Sequence, residues 1–173
     1  MRIYKILKGW HYAKNFIPRL QLICNCNYIQ QGGDMTFTDS CKYEIDEESC
    51  VNKLFGFSFG LFGVHKNSAR FGWTYNSEMN EIFIWKYVYD NGKLTKEKIF
   101  SCNIGETHAY DIDAWTYDSD KKGYKTYGIC FKIDGKKIAE TKIESNKWFV
   151  LTLGPYFGGN TRAPHKICIM SSK

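Results

Sequence analysis

The chain has no C-x-x-C pair, no apolar run long enough to cross a bilayer and no apolar stripe at helical spacing. It also carries no H-E-x-x-H, phosphate-loop or dinucleotide fingerprint. Each absence closes a class. The seven cysteines, Cys24, Cys26, Cys41, Cys50, Cys102, Cys130 and Cys168, are odd in number and lack the paired spacings of a structural zinc site. Reduced thiols with no metal and no other cofactor are the expectation, and Cys130 and Cys168 sit in apolar runs where a thiol behaves as a small hydrophobe. The longest apolar run, residues 55–64, is short and interrupted by glycine, which argues against membrane insertion. The opening MRIYKILKGWHYAKN lacks the apolar core and cleavage site of a secretory signal. It predicts synthesis in a reducing cytoplasm, compatible with later release in a particle or by lysis. The formal charge of +6 arises from 24 basic and 18 acidic residues spread along the chain. Without a basic stripe or an RNP-like motif, nucleic acid is not the expected partner.

What is abundant is aromatic: 12 Phe, 12 Tyr and 5 Trp, residues that favour pleated surfaces. Alternation is plainest in residues 81–89, EIFIWKYVY, with Ile82, Ile84, Lys86 and Val88 on one face and Phe83, Trp85, Tyr87 and Tyr89 on the other. Asn91-Gly92 then predicts a tight hairpin into residues 94–100, and Asp134-Gly135 predicts a second between 127–133 and 136–143. Further strands are expected at 2–7, 20–28, 35–38, 42–45, 53–62, 69–75, 107–117, 148–153 and 166–170, with 30–34 and the acidic 46–48 read as surface loops. A dozen short strands without a linker predict one domain, residues 1–173, built as an all-β antiparallel two-sheet sandwich.

Two polar stretches interrupt this pattern. His65-Lys66-Asn67-Ser68-Ala69-Arg70 joins two apolar strands, and its composition suits a turn closed by local side-chain hydrogen bonds. The same residues suit a ligand rim, with Lys66 and Arg70 binding anions or hydroxyls, His65 and Asn67 hydrogen bonding, and Trp73 or Trp85 as a flat platform. The second stretch, 154–165, contains Gly158-Gly159-Asn160, which permits a sharp excursion, followed by Arg162 and His165. It reads either as a structural corner or as the other side of the same concavity, contributing Asn160, Arg162 and His165.

A glycosidase needs two carboxyl groups across a cleft. The candidates Glu81, Glu106, Asp111, Asp113 and Asp118 show no pairing motif, and Asp111 and Asp113 merely share a strand face. A polysaccharide lyase could use a histidine or tyrosine base with arginine or asparagine neutralising a uronate carboxyl group, so His65, Arg70, Asn160, Arg162 and His165 keep that class open.

The run 52–57 leading to His65-Lys66-Asn67-Ser68-Ala69-Arg70-Phe71-Gly72-Trp73, the Tyr87-x-Tyr89-x-x-Gly92 hairpin, Tyr156-Phe157-Gly158-Gly159-Asn160 with Ala163-Pro164-His165, and the opening Lys8-Gly9-Trp10-His11-Tyr12 resemble small uncharacterised β-sandwich proteins of gut Bacteroidales and their bacteriophages. More broadly the pattern is similar to jelly-roll sandwiches of the concanavalin A and laminin G type, mostly lectins, glycan-binding modules and adhesins with some polysaccharide-degrading enzymes. The resemblance implies a jelly roll of the concanavalin A-like lectin/glucanase type, without the acidic calcium loop of legume lectins. The expectation is a non-catalytic, lectin-like protein whose partner is a glycan or polysaccharide, displayed multivalently. The alternatives are a virion-associated decoration subunit, whose Trp10, Tyr12 and Trp115 would contact neighbouring chains or copies of itself, and a jelly-roll lyase or glycoside hydrolase.

Overall fold

A computed structural model describes residues 1–22, 28–44, 50–61, 63–118, 120–147 and 149–172. Twelve strands follow in order: β1 (Arg2–Ile6), β2 (Leu20–Leu22), β3 (Tyr28–Phe37), β4 (Asn52–Ser58), β5 (Ser68–Asn76), β6 (Glu81–Asp90), β7 (Lys93–Asn103), β8 (Thr107–Asp118), β9 (Lys125–Ile133), β10 (Lys136–Ser145), β11 (Phe149–Leu153) and β12 (Ile167–Ser171). They form two antiparallel six-stranded sheets, one ordered β1-β12-β3-β8-β9-β10 and the other β2-β11-β4-β5-β6-β7. The all-β antiparallel two-sheet sandwich expected from the alternation pattern is the observed fold, as is the jelly roll that the resemblance implied.

Both predicted hairpins form, with Asn91 and Gly92 at φ 49° and 84° and Asp134 and Gly135 at 50° and 74°. Alternation sends Ile82, Ile84 and Val88 of β6 into the core and turns Phe83, Trp85, Tyr87 and Tyr89 outward. Rings from the two sheets interlock at the centre: Phe71 of β5 meets Phe131 of β9 at 5.0 Å and Tyr110 of β8 at 5.6 Å between centroids. Edge-to-face pairs of this kind add to the stabilisation from burial alone.

Three sequence expectations need correction. Residues 30–34 are not a loop but the middle of β3, paired Gly32 to Asp111 and Gly33 to Tyr110. A side chain at Gly32 would collide with the Asp111 carboxylate and the Tyr110 carbonyl, so glycine here serves close strand approach rather than a turn. Residues 42–44 are not strand; they follow a 3-10 turn, Asp39–Cys41. The strand expected over 20–28 is two pieces, β2 and the start of β3, with 23–27, and so Cys24 and Cys26, outside the described residues, as is 46–48. The five described cysteines, Cys41, Cys50, Cys102, Cys130 and Cys168, are free.

Strand β4 is buried at every position and β5 at all but its last, although both lie mid-sheet with one face turned away from the core. Their outer face is covered by two segments. Residues 9–13 hydrogen bond along 155–163, and Tyr156 in turn bridges Lys53 of β4 through paired backbone bonds of 2.8 and 2.9 Å. A turn over 63–67 closes the other side. Between these covers the outer face of the second sheet is left as a groove.

Candidate functional site

The groove encloses about 740 Å³, within the range of roughly 300–1,000 Å³ usual for ligand sites. Its floor is Lys53 of β4, Arg70 of β5 and Tyr87 of β6. One wall is Tyr12, Phe16 and residues 153–156 with Asn160, and the other is Val64, His65 and Tyr89. Cross-strand register assembles the floor, because Arg70 pairs with Tyr87 and Lys53 with Gly72, which places all three side chains on the outward pleat.

The floor cations are buried, Lys53 at 5% exposure and Arg70 at 7%. Neither is held by a carboxylate of the described residues. The Lys53 Nζ donates to the Gly158 carbonyl at 3.2 Å and lies 4.6 Å from the centroid of the Tyr87 ring and 5.7 Å from that of Tyr156. Arg70 donates from Nη2 to the Gly154 carbonyl at 3.1 Å, while its Nε is buried with no partner among the described residues. The described residues lining the groove include no Asp or Glu. Buried charge of one sign without a counter-charge is costly, and a negatively charged ligand is what would offset it.

Burial lowers the Lys53 ammonium to about 8, with the Arg70 guanidinium adding to the fall. Arg70 is pushed down by burial to about 10 and so keeps its charge at neutral pH. The Tyr87 hydroxyl is driven upward by burial, then by its hydrogen bond and Coulombic interaction with Tyr89, so it holds its proton. Tyr156 is raised by burial and by Tyr12. The groove thus presents a lysine that loses its proton in mildly alkaline solution beside a fixed positive charge and a protonated phenol.

Of the residues singled out in the sequence, His65, Arg70 and Asn160 line this one groove, so the two polar stretches meet in space. His65 stands edge-on to Tyr89 at 5.2 Å. Asn67 is 6% exposed and turned away from ligand, its Oδ1 accepting the Asn91 N–H at 2.8 Å to tie the 63–67 turn to the β6–β7 hairpin. Ser68 closes the same turn by donating to the Val64 carbonyl at 2.6 Å. Lys66 is exposed outside the lining. Trp73 is a correction: it is fully buried, its ring 5.3 Å from that of Phe37 and 5.8 Å from that of Tyr43, and no sugar can reach it. Trp85 lies on the outward face but outside the groove lining, its indole N–H donating to Thr74 Oγ1 at 2.9 Å. Arg162 is exposed and also outside the lining. His165 is likewise not part of the groove, and its Nε2 donates to the Ser40 carbonyl at 2.8 Å. Replacing His165 with alanine is therefore expected to leave ligand binding in the groove within about twofold of wild type, whereas a deeper loss would move the site.

Sequence reasoning missed Lys53, Tyr87, Tyr156 and Tyr12. Lys53 carried one available signal, a lone cation at the head of the apolar run LFGF. The carboxylates weighed for a glycosidase lie elsewhere. Asp113 is 2% exposed on the outward face of the opposite sheet and pairs with Lys132, and Glu106 is bound by Asn103.

No protein-family model matches the chain, and no curated protein matches its sequence. Solved structures share its fold, two of them polysaccharide lyases by their names. An alginate lyase, Aly36B, solved as a double alanine variant in complex with alginate trisaccharide, is similar with a TM-score of 0.63 at 15% identity, over 96% of this chain and 77% of that one. A polysaccharide lyase family 18 protein, aly-SJ02, is similar with a TM-score of 0.54 at 8% identity, over 96% of this chain and 79% of that one. The chain therefore has the sandwich architecture on which these polysaccharide lyases are built.

Proposed function

We propose that the groove binds an acidic polysaccharide of uronate type and cleaves it by β-elimination. The observation that supports this is the pair of buried cations, Lys53 and Arg70, on a floor whose described lining includes no carboxylate. A retaining or inverting glycosidase is disfavoured on the same ground, since both mechanisms need two carboxyl groups.

The chemistry assigns a role to each floor residue. Arg70 faces the uronate carboxylate and stabilises the negative charge that grows on it as the C5 proton departs. Neutral Lys53 takes that proton on its Nζ. The electron pair of the C5–H bond becomes the C4–C5 double bond, the C4–O bond breaks, and the leaving oxygen receives its proton from the Tyr87 hydroxyl. One chain becomes two, an unsaturated end and a new reducing end, with no water consumed. The exposed ring of Tyr12 and the His65 and Tyr89 pair would flank the sugars on either side.

One observation favours the second reading, a binder that does not turn over. Lys53 with a pKa of about 8 is largely protonated at neutral pH, so the same groove serves as an anion-binding cradle there. A single experiment separates the two. Polyuronates, sulfated galactans and neutral glucans are incubated with the protein between pH 6 and 9, and the ultraviolet absorbance of unsaturated products is followed alongside binding. Absorbance from a polyuronate, rising with pH through about 8 as Lys53 loses its proton, is expected for the lyase. Binding without product, lost on Arg70→Ala, would make the protein lectin-like. Absence of both would sink the acidic-glycan reading.

A further inference from the structure

Beside Lys53 in the chain stands Asn52, a polar side chain with no exposure at all. Its Oδ1 accepts the Gly158 N–H at 2.6 Å, and its Nδ2 donates to the Tyr43 hydroxyl at 2.6 Å. That hydroxyl also accepts the Tyr75 N–H at 3.3 Å, so Asn52 is braced from β5. Gly158 adopts φ +70°, and a side chain there would strike the Thr161 carbonyl and approach the Cys50 sulfur. In this left-handed turn Gly158 gives its N–H to Asn52 and its carbonyl to Lys53. The order of contacts is thus Tyr75, Tyr43, Asn52, Gly158, Lys53.

We infer that Asn52 is a positioning residue for Lys53: by gripping Gly158 it fixes the carbonyl that accepts one hydrogen of the lysine amine, and so aims the amine's lone pair. A neutral primary amine has two hydrogens and one lone pair. Anchoring a hydrogen removes most of its rotational freedom, as the third member of a catalytic triad does for an imidazole. The function assigned to the lone pair rests on the β-elimination reading above, whereas the anchoring itself does not. The groups that face Lys53 from its surroundings are Arg70 on β5, Tyr87 on β6, Tyr156 in the wall and the Cys50 thiol ahead of β4.

The test is a pair of substitutions with two readouts. The Lys53 titration is followed by NMR of selectively ¹³C-labelled lysine, assigned by the loss of one resonance in Lys53→Met, and turnover of a polyuronate is followed in parallel. Asn52→Asp retains an acceptor for the Gly158 N–H and adds a negative charge on the neighbouring residue, so the Lys53 titration should move up and carry the alkaline rise in rate with it. Asn52→Ala should lower kcat about 10- to 100-fold with KM little changed, and move the titration down, because the ammonium loses a fixed acceptor. If Asn52→Ala does not fold, Tyr43→Phe, which removes only the brace, should shift both readouts in the same direction by less. Unmoved Lys53 titrations in the folded variants would overturn the inference. A wild-type protein with no turnover but a shifted titration in the variants would instead sink the lyase reading and leave the positioning role standing.

Discussion

Lys53→Met is expected to abolish polyuronate cleavage and to make the protein more stable. The first half follows from the base role, worth about 10²- to 10⁴-fold in rate. The second half follows from the cost of burying an ammonium without a counter-charge. Lys53 titrates near 10.5 when exposed and near 8 in the fold. A lowered folded-state value means the unfolded chain binds more protons between these limits, so stability rises with pH across them. Below pH 8 the folded protein carries the whole penalty, on the order of 3 kcal/mol, and above pH 10.5 it carries none. Methionine fills nearly the same volume without charge, so at pH 7 the variant should melt roughly 6–12 °C higher. That advantage should shrink steadily as the comparison is repeated from pH 8 to 10. Thermal unfolding at several pH values checks it. A variant that melts lower at pH 7, or whose difference from wild type is flat with pH, would show that Lys53 is not held at a cost, and the case for its being kept for chemistry would fall with it.

Trp73→Ala should be the most damaging single truncation, costing about 3–5 kcal/mol, because a fully buried indole leaves a cavity the two sheets cannot close. For a chain of this length that is a fall of roughly 6–20 °C in melting temperature. Trp85→Ala should cost far less, about 1 kcal/mol, since it forfeits a half-buried ring and one hydrogen bond to Thr74. The contrast is sharp because both tryptophans occupy the same kind of sequence context and pair across adjacent strands, Gly72 to Trp85 and Trp73 to Ile84. Equal losses of stability, or glycan binding that fails in Trp85→Ala while the fold survives, would require the outward face to be mapped again.

The two tryptophans also show where sequence reasoning reached its limit. In residues 81–89 the alternation assigns four side chains to each face correctly, yet it does not say that the aromatic face is the outward one. An inward row of Phe83, Trp85, Tyr87 and Tyr89 would read the same. What decides it is that β5 supplies Phe71 and Trp73 to the inner face while its Arg70 pairs with Tyr87 on the outer, and pairing is a matter of register between strands. The HKNSAR segment is a similar case. Its turn chemistry was legible, and Asn67 and Ser68 do close the turn, but whether His65 and Arg70 share a cavity depends on what the rest of the chain lays beside them.

Local pattern alone was enough to specify the all-β sandwich and both hairpins with their Asn-Gly and Asp-Gly turns. These follow from periodicity and turn conformation, which are properties of neighbours in sequence. The groove was a tertiary decision. Lys53, Arg70, Tyr87, Tyr156 and Tyr12 come from five strands or loops spread over most of the chain, and they meet because Tyr156 bridges Lys53 and residues 9–13 pair along 155–163. A lysine ahead of an apolar run looks like a strand end when read in sequence. Only the segments folded over it remove its water and counter-charge, and that burial is what turns an ordinary cation into a candidate base.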